Sequence, residues 1–495
     1  MKGFRGEDFQ LNKRPNIVFI ITDQQRYDTI AAHGYDYMIT PNLDRLAREG
    51  TSFLNMYVTS PSCGPSRASL FSGVYPHTNG VFRNDEPWNY CWVQLLNEAG
   101  YRCVNVGKMH TFPPEKPFGF HERHVVENKD RTHPLLPFYL DNWDKAFHTR
   151  KVEQPSGETY RKRDDFEESL GAFVWPAPDD LHPDHFVADL ARWWLERYRG
   201  EEPFFLQVGL PGPHPPYDPT EEALELYEGR ELPPPIPADD FDEQPLALQA
   251  LANRHLNHAI DGVYHPREAT PDQERRQRAC YYANVTMIDR KVGEIIDALE
   301  ARGVLDNTVL IFTSDHGDCL RDHGHVQKWN MYEASARVPA IIHWPGRIAA
   351  SQQVDDLVAL FDFGPTILDL AGITPPDWME AQSLRPFFEK SSDPSRERVF
   401  AEHANDLILE ETEFVTMIRE GRWKLVHYLG EDRGQLFDLE DDPQEIRNRW
   451  SDPGCTAVRA GLIEQIFHWR LRSSKKTQGF RRAIAAGHSM LDPGG

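Results

Sequence analysis

The chain has 495 residues, 40% hydrophobic and 11% aromatic, long enough to bury a large core or two domains and too apolar for a disordered polymer. A formal net charge of −23 repels nucleic acid at long range, and no apolar run is long enough to span a bilayer, so neither partner is expected. Cysteines at 63, 91, 103, 280, 319 and 455 form no CxxC pair, which argues against a zinc knuckle or disulfide framework and for buried thiols.

Residues 1–14 are polar and charged, without the apolar stretch of a secretory signal, so a cytoplasmic protein is expected. Residues 15–22 (PNIVFIIT) form a continuous apolar, β-branched run, as in a strand buried on both faces of a parallel sheet; it ends at Asp23. Thr40-Pro41 reads as the N-cap and first residue of a short helix with Leu43, Leu46 and Ala47 on one face, and a strand follows at 52–58. Cys63 stands just before a run, 65–72, that has helix start and stop signals in Pro65 and Gly73. Its position suits an anion at a helix N-terminus, although a lone cysteine in a turn is ordinarily only a buried thiol.

Further strands are expected at 101–106, 203–210, 308–313 and 338–343, separated by helical patterns such as 184–198 and 273–300. That alternation predicts an α/β fold, a mostly parallel central sheet sandwiched by helices. Proline-rich stretches at 111–117 and 233–237 break the pattern and are candidate walls of a pocket. From about residue 385 short strands at 399–403, 414–419, 422–428 and 435–439 read as a small antiparallel C-terminal subdomain, dividing the chain into 1–385 and 386–495. The one basic stretch, 470–482, carries six Lys/Arg and no acid. It would suit phosphate, but beside a terminus a solvated or subunit-contacting tail is expected.

Open α/β sheets hold ligands outside the carboxyl ends of their strands. Asp23, Lys108, His110, His214 and Asp315-His316 all follow strands, so ionisable groups converge on one edge. Asp23 and Asp315, with the amide of Gln24 and the imidazole of His316, suit one divalent cation. Arg67, Lys108 and Lys328 add cations suited to a multiply charged oxyanion.

Cys63-Gly64-Pro65-Ser66-Arg67 matches the CxPSR signature of the formylglycine-dependent sulfatases. NIVFIITDQQ at 16–25, TPNLDRLAREG at 40–50, GKMH at 107–110, PHPP at 213–216, TSDHG at 313–317 and KWNMYE at 328–333 resemble other segments of that family, and the likeness runs from about residue 14 to 450. The resemblance implies an alkaline-phosphatase-like fold and a sulfatase that cleaves an aryl, alkyl or sugar sulfate monoester. It implies that a maturation enzyme oxidises Cys63 to formylglycine, whose hydrate attacks sulfur. Asp23, Gln24, Asp315, His316 and the modified Cys63 would surround the cation, with Asp315 also the proton acceptor. Arg67 and Lys108 would hold the nucleophile, Lys108 also meeting the sulfate. His214 and Lys328 would bind sulfate and protonate the departing oxygen, and His110 would deprotonate the second hydroxyl. A homo-oligomer is expected.

Many sulfatases carry a second Asp where Gln24 stands and an Asn where His316 stands. The family cation is Ca²⁺, but a nitrogen ligand favours Mn²⁺ or another transition metal. Gln24, His316 and the Trp469-Arg470-Leu471 region also resemble the phosphonate monoester hydrolases and phosphodiesterases that use the same formylglycine, while Lys108 with His110 is a sulfatase-type pair. A third reading is a non-catalytic anion-binding protein with Cys63 unmodified; retention of every charged position argues against it.

Overall fold

The computed structural model describes residues 14–127, 139–237, 241–389, 396–404 and 412–485; the polar N-terminal stretch before Arg14 and the tail after 485 lie outside them. Nine strands build one sheet: β1 (Asn16–Asp23), β2 (Thr51–Tyr57), β3 (Arg102–Gly107), β4 (Glu122–Val125), β5 (Phe204–Pro213), β6 (Thr308–Ser314), β7 (Arg337–Val338), β8 (Ala340–His343) and β9 (Gln352–Ala359). Across the sheet β4, β3, β5, β1 and β6 run parallel, β8 is antiparallel to β6 and to β2, β7 is antiparallel to β2, and β9 is parallel to β2.

The apolar run of β1 is continuous because both of its faces are covered. Ile17, Phe19 and Ile21 enter one core, with Leu70 and Phe71. Val18 and Ile20 enter the other, with Val187 and Leu195 of the helix Pro183–Arg197 and Val292 and Leu299 of the helix Pro271–Ala301. The latter helix starts where the sequence signals it: Pro271 is its first residue, Thr270 Oγ1 accepts from Gln273 N–H, and Gln273 Oε1 accepts from Thr270 N–H.

A separate four-stranded antiparallel sheet follows in the order β10 (Arg398–Ala404), β11 (Phe414–Glu420), β12 (Trp423–Tyr428), β13 (Gln435–Asp438). Its apolar face shares a core with Tyr57, Trp329 and Met331. The buried Lys424 ammonium on β12 bridges Glu333, at 2.9 Å, and Glu445.

The sequence pattern did not disclose β4, β9 or the helix Thr456–Lys476. β4 (ERHV) and β9 (QQVDDLVA) stand at sheet margins, where half the side chains meet solvent and the apolar signal is diluted. The basic stretch is not a solvated tail. Trp469 stacks on Phe400 with ring centroids 4.4 Å apart, Arg470 reaches Glu402 at 2.6 Å, and the fully buried Phe480 meets Trp378. All six cysteines are buried free thiols. Among the described residues no helix is long and apolar enough to cross a membrane.

The Pro-rich run at 233–237 packs on the loop before Lys328, with Ile236 N–H donating to Asp322 Oδ1 at 2.9 Å and Ile236 C=O accepting from His323 N–H at 2.9 Å. His325 in the same loop is fully buried, faces Gln244 Oε1 at 3.1 Å, and is pushed by burial down to about 4. The folded chain therefore binds this proton less readily than the unfolded chain, so His325 withdraws stability as pH falls below about 6.5, by about 1.4 kcal/mol per pH unit until about 4. In His325→Gln the slope of unfolding free energy against pH between 6.5 and 5 should lessen by that amount in urea titrations. An unchanged slope would remove His325 from the acid response.

Candidate active site

Strands β3, β5, β1 and β6 are neighbours and parallel, so their carboxyl ends make one edge. Lys108 follows β3, His214 follows β5, Asp23 closes β1 and Asp315 follows β6. The chains approach closely there: a Cβ on Gly209 would stand 1.9 Å from the Lys108 carbonyl oxygen, and Lys108 N–H donates to Gly209 C=O at 2.8 Å. Only glycine fits.

Cys63 enters from the first residue of the helix Cys63–Ser72, after an extended Ser62, so the thiol lies at the positive end of the helix. The residue after it is glycine because Asn84 crosses there; a Cβ would stand 2.8 Å from Asn84 Cα, while Gly64 N–H donates to Asn84 Oδ1 at 2.9 Å. Ser66 Oγ donates to Asp315 C=O at 2.6 Å and ties this helix to the end of β6. The spacing of CGPSR thus serves a junction as well as a nucleophile.

Cys63 Sγ lies 3.1 Å from His316 Nε2, 3.2 Å from Lys328 Nζ and 3.7 Å from Asp23 Oδ1. Ligand atoms of Asp23, Cys63, Asp315 and His316 all fall within 4.8 Å of one another, and all four residues are buried. His316 Nδ1 sits 2.9 Å from the Gly317 carbonyl, which fixes the proton there and leaves the Nε2 lone pair facing the cluster. Two carboxylates and one imidazole lone pair on a closed site fit a divalent cation.

Gln24 adjoins this set through its amide. Its Nε2 donates to Asp318 Oδ2 at 2.7 Å and its Oε1 accepts from Lys328 Nζ at 2.7 Å, leaving one lone pair on that oxygen. Its backbone N–H donates to Asp315 Oδ1 at 3.1 Å.

Fixed cations offset the buried carboxylates. Arg67 Nε donates to Asp315 Oδ2 at 2.7 Å, Nη2 to Asp23 Oδ2 at 3.3 Å and Nη1 to Lys108 C=O at 2.9 Å, and Lys108 Nζ pairs with Asp23. Burial works to raise the Asp23 carboxyl, but Lys108, His214 and Arg67 hold it well below the usual range. Burial, with Asp23 beside it, pushes the Cys63 thiol up to about 12. The unmodified thiol therefore stays protonated near neutral pH and is a poor nucleophile.

His110 has a left-handed φ of 59°, and its N–H donates to Glu127 Oε1 at 3.1 Å. Its Nδ1 is buried with no hydrogen-bond partner among the described residues. Burial, then Lys108, keeps the ring well below its ordinary pKa and hence neutral. His214 Nδ1 lies 2.8 Å from the Pro215 carbonyl and Nε2 lies 3.6 Å from Asp261 Oδ2; burial, then Lys328, lowers this imidazole too.

Lys328 is delivered by a strained loop. Leu320, Arg321, His323, Gln327 and Trp329 all have left-handed φ, a cost tolerated where the surroundings over-determine the backbone. Asp318 supplies much of that constraint: Oδ1 accepts from Leu320 and Gln327 N–H at 2.9 Å each, and Oδ2 accepts from Gln24 and from Tyr217 Oη at 2.7 Å each. Asp318 and Asp261 are the site residues that sequence reasoning missed. Asp318 stands three residues after Asp315, just past the TSDHG segment, and its role depends on partners distant in sequence; Asp261 lies in a loop without motif.

The structure brings Asp23, Gln24, Cys63, Arg67, Lys108, Asp315, His316 and Lys328 into direct contact with one another, with His110 and His214 in the charge field of Asp23 and Lys108. A sulfatase family model matches residues 15–373, and a model of the N-sulphoglucosamine sulphohydrolase C-terminal region matches residues 321–472. The chain is 31% identical to an arylsulfatase of Clostridium perfringens, over 88% of this chain and 90% of that protein, and 33% identical to a choline-sulfatase of Rhizobium meliloti, over 93% and 88%. It superposes on the phosphonate monoester hydrolase of Agrobacterium radiobacter with a TM-score of 0.79 at 26% identity, covering 93% of this chain and 96% of that one. By sequence match, fold and the makeup of the strand-edge cluster together, the chain belongs to the sulfatase family of sulfuric ester hydrolases, within the alkaline-phosphatase-like superfamily.

Proposed function

We propose that this sulfatase works through formylglycine made from Cys63, beside one divalent cation held by Asp23, Gln24, Asp315 and His316. The observation that carries the reading is the position of Cys63 Sγ: at a helix N-terminus, among two carboxylates, an imidazole and Lys328, with a thiol held protonated. Hydrated formylglycine supplies two hydroxyls on one carbon, one to bond sulfur as the ester oxygen leaves and one to re-form the aldehyde as sulfate is expelled. When bound there, a divalent cation would supply Lewis acidity that favours the ionised form of the nucleophile.

The remaining work falls to this chain's own side chains. The Asp315 carboxylate accepts the proton of the attacking hydroxyl, while Arg67 holds that carboxylate in place. Lys108 and Lys328 meet the sulfate oxygens with His214 beside them, and the Lys328 ammonium, held protonated by the negative groups around it, delivers a proton to the leaving oxygen. His110 takes the proton of the second hydroxyl; its neutral ring and unsatisfied Nδ1 support that role. Cys63 is only 1% exposed in the folded chain, so the maturation enzyme must meet this segment before folding closes over it. Intact-mass analysis of the purified chain tests the modification: the mass change of thiol-to-aldehyde conversion at the CGPSR peptide is expected, and an unmodified, active enzyme would refute it.

The nitrogen ligand His316 moves cation preference from Ca²⁺ toward Mn²⁺. Chelation should abolish turnover and lower Tm, because clustered carboxylates are left facing one another, and added cation should restore both. Activity that survives complete removal of bound metal would exclude the role.

Names of relatives suggest an aryl, choline or sugar sulfate as substrate. A second reading, phosphonate monoester or phosphodiester hydrolysis, is favoured by the Agrobacterium likeness together with Gln24 and His316. Comparing kcat/KM on matched 4-nitrophenyl esters decides between them. Sulfate is expected to lead; a phosphonate ester or phosphodiester ahead by about tenfold, about 1.4 kcal/mol in transition-state stabilisation, would reverse the assignment.

A further inference from the structure

A cavity of about 510 Å³ lies between the helix Thr456–Lys476 and the start of β10, lined by none of the residues of the strand-edge site. Trp469, Arg472, Ser473 and Lys476 recur at helical spacing, so a single face of that helix forms one wall. Arg396 and Arg398 stand in the opposite wall.

Three buried N–H donors in these walls have no acceptor among the described residues: Arg396 Nη1, Arg398 Nε and Trp469 Nε1. Trp469 is 9% exposed. None of the three groups can accept a hydrogen bond, so whatever satisfies them is an acceptor. Each guanidinium is anchored through another of its nitrogens, Arg396 Nη2 to Asp362 Oδ1 at 2.8 Å and Arg398 Nη2 to Glu397 Oε2 and Glu420 Oε1 at 2.7 Å each.

The carboxylates in the lining do not fill the need. Glu380 Oε2 accepts from Tyr75 N–H at 3.0 Å and Thr78 Oγ1 at 2.9 Å, and Glu397 pairs with Arg398. Arg472 and Lys476 add two exposed cations that form no ion pair among the described residues. This gathering of positive charge occurs on a chain of net charge −23.

We propose that this cavity is a second oxyanion site, which takes a sulfate or phosphate group either free in solution or carried on a larger molecule. Guanidinium groups and an indole N–H standing in two walls suit an acceptor with several oxygens, by geometry as well as by charge. The basic stretch noted in the sequence thereby gains a ligand as well as a packing role.

The test uses the full chain with its metal and modification intact. Sulfate titrated by calorimetry should show two binding events, only one of them matching the constant for product inhibition of 4-nitrophenyl sulfate turnover. In Arg472→Gln/Lys476→Gln the other event should weaken by about tenfold or more, with kcat/KM for 4-nitrophenyl sulfate unchanged. Both side chains are exposed, so the fold is retained. Trp469→Phe keeps the ring and removes one donor, and should weaken the same event by about threefold. Selenate soaked into crystals should give an anomalous peak within hydrogen-bond reach of Arg396 and Trp469.

Inorganic sulfate, inorganic phosphate and a sulfated oligosaccharide are compared as probes. Binding of the inorganic ions supports a site for free oxyanion; binding of the oligosaccharide alone supports a site for polymer-borne sulfate. No second event with any probe, or a second event indifferent to the double variant, overturns the proposal.

Discussion

Replacing Cys63 by alanine is expected to abolish sulfate ester turnover, by on the order of 10⁴-fold or more, because the change removes the nucleophile itself. The fold should survive: Cys63 is a small buried residue whose packing loss is on the order of 1 kcal/mol, and the helix start rests on Pro65, Ser66 and the Gly64–Asn84 contact. Cys63→Ser is the sharper variant. Its single hydroxyl can take the sulfuryl group from the ester once, but has no second hydroxyl on the same carbon to expel it. A burst of alcohol of about one equivalent, followed by arrest, is therefore expected in rapid-quench measurements. Sustained multiple turnover by Cys63→Ser would eliminate the geminal-diol reading, and full activity in Cys63→Ala would eliminate Cys63 as nucleophile.

The sheet edge was legible from the sequence because each of its strands is mostly apolar and gives way to a charged or polar residue. β1 ends at Asp23, β3 gives way to Lys108 and β6 to Asp315, and the same run that reveals the strand marks where the site begins. The adjacency of the four strands was not legible, since the order β3, β5, β1, β6 follows from crossovers that local pattern does not encode. Nor was the support of Lys328: Asp318 acts by accepting four hydrogen bonds from groups distant in sequence or in a strained loop, and nothing in its neighbours announces that.

The C-terminal region shows the opposite failure. Charge dominated the reading of 470–482, yet Trp469 and Phe480, one before and one within that stretch, are what anchor it, by stacking on Phe400 and packing on Trp378. Two aromatic anchors outweigh several exposed cations in deciding whether a segment packs, since each ring buries a large apolar area while the charged ends remain in solvent.

Lys108→Ala is expected to lower kcat/KM for a sulfate monoester by about 10³-fold, about 4 kcal/mol of transition-state stabilisation, as a preorganised cation is lost from a dry anion site. Lys108 is fully buried and pairs with Asp23, so its removal also leaves that carboxylate to Arg67, 3.3 Å away. Breaking a buried pair costs about 3–5 kcal/mol of stability, so the variant's Tm must be measured alongside its rate. Lys108→Arg should not rescue: a planar guanidinium cannot stand where a compact ammonium meets both Asp23 and the sulfate. The loss should be greater for the sulfate ester than for the matched phosphonate ester if Lys108 is what fits this site to sulfate. Equal losses on both would make Lys108 a general support of the nucleophile through Asp23, and a folded Lys108→Ala enzyme with unchanged kcat/KM would remove it from the chemistry and, with it, the main residue-level reason for preferring sulfate over phosphonate.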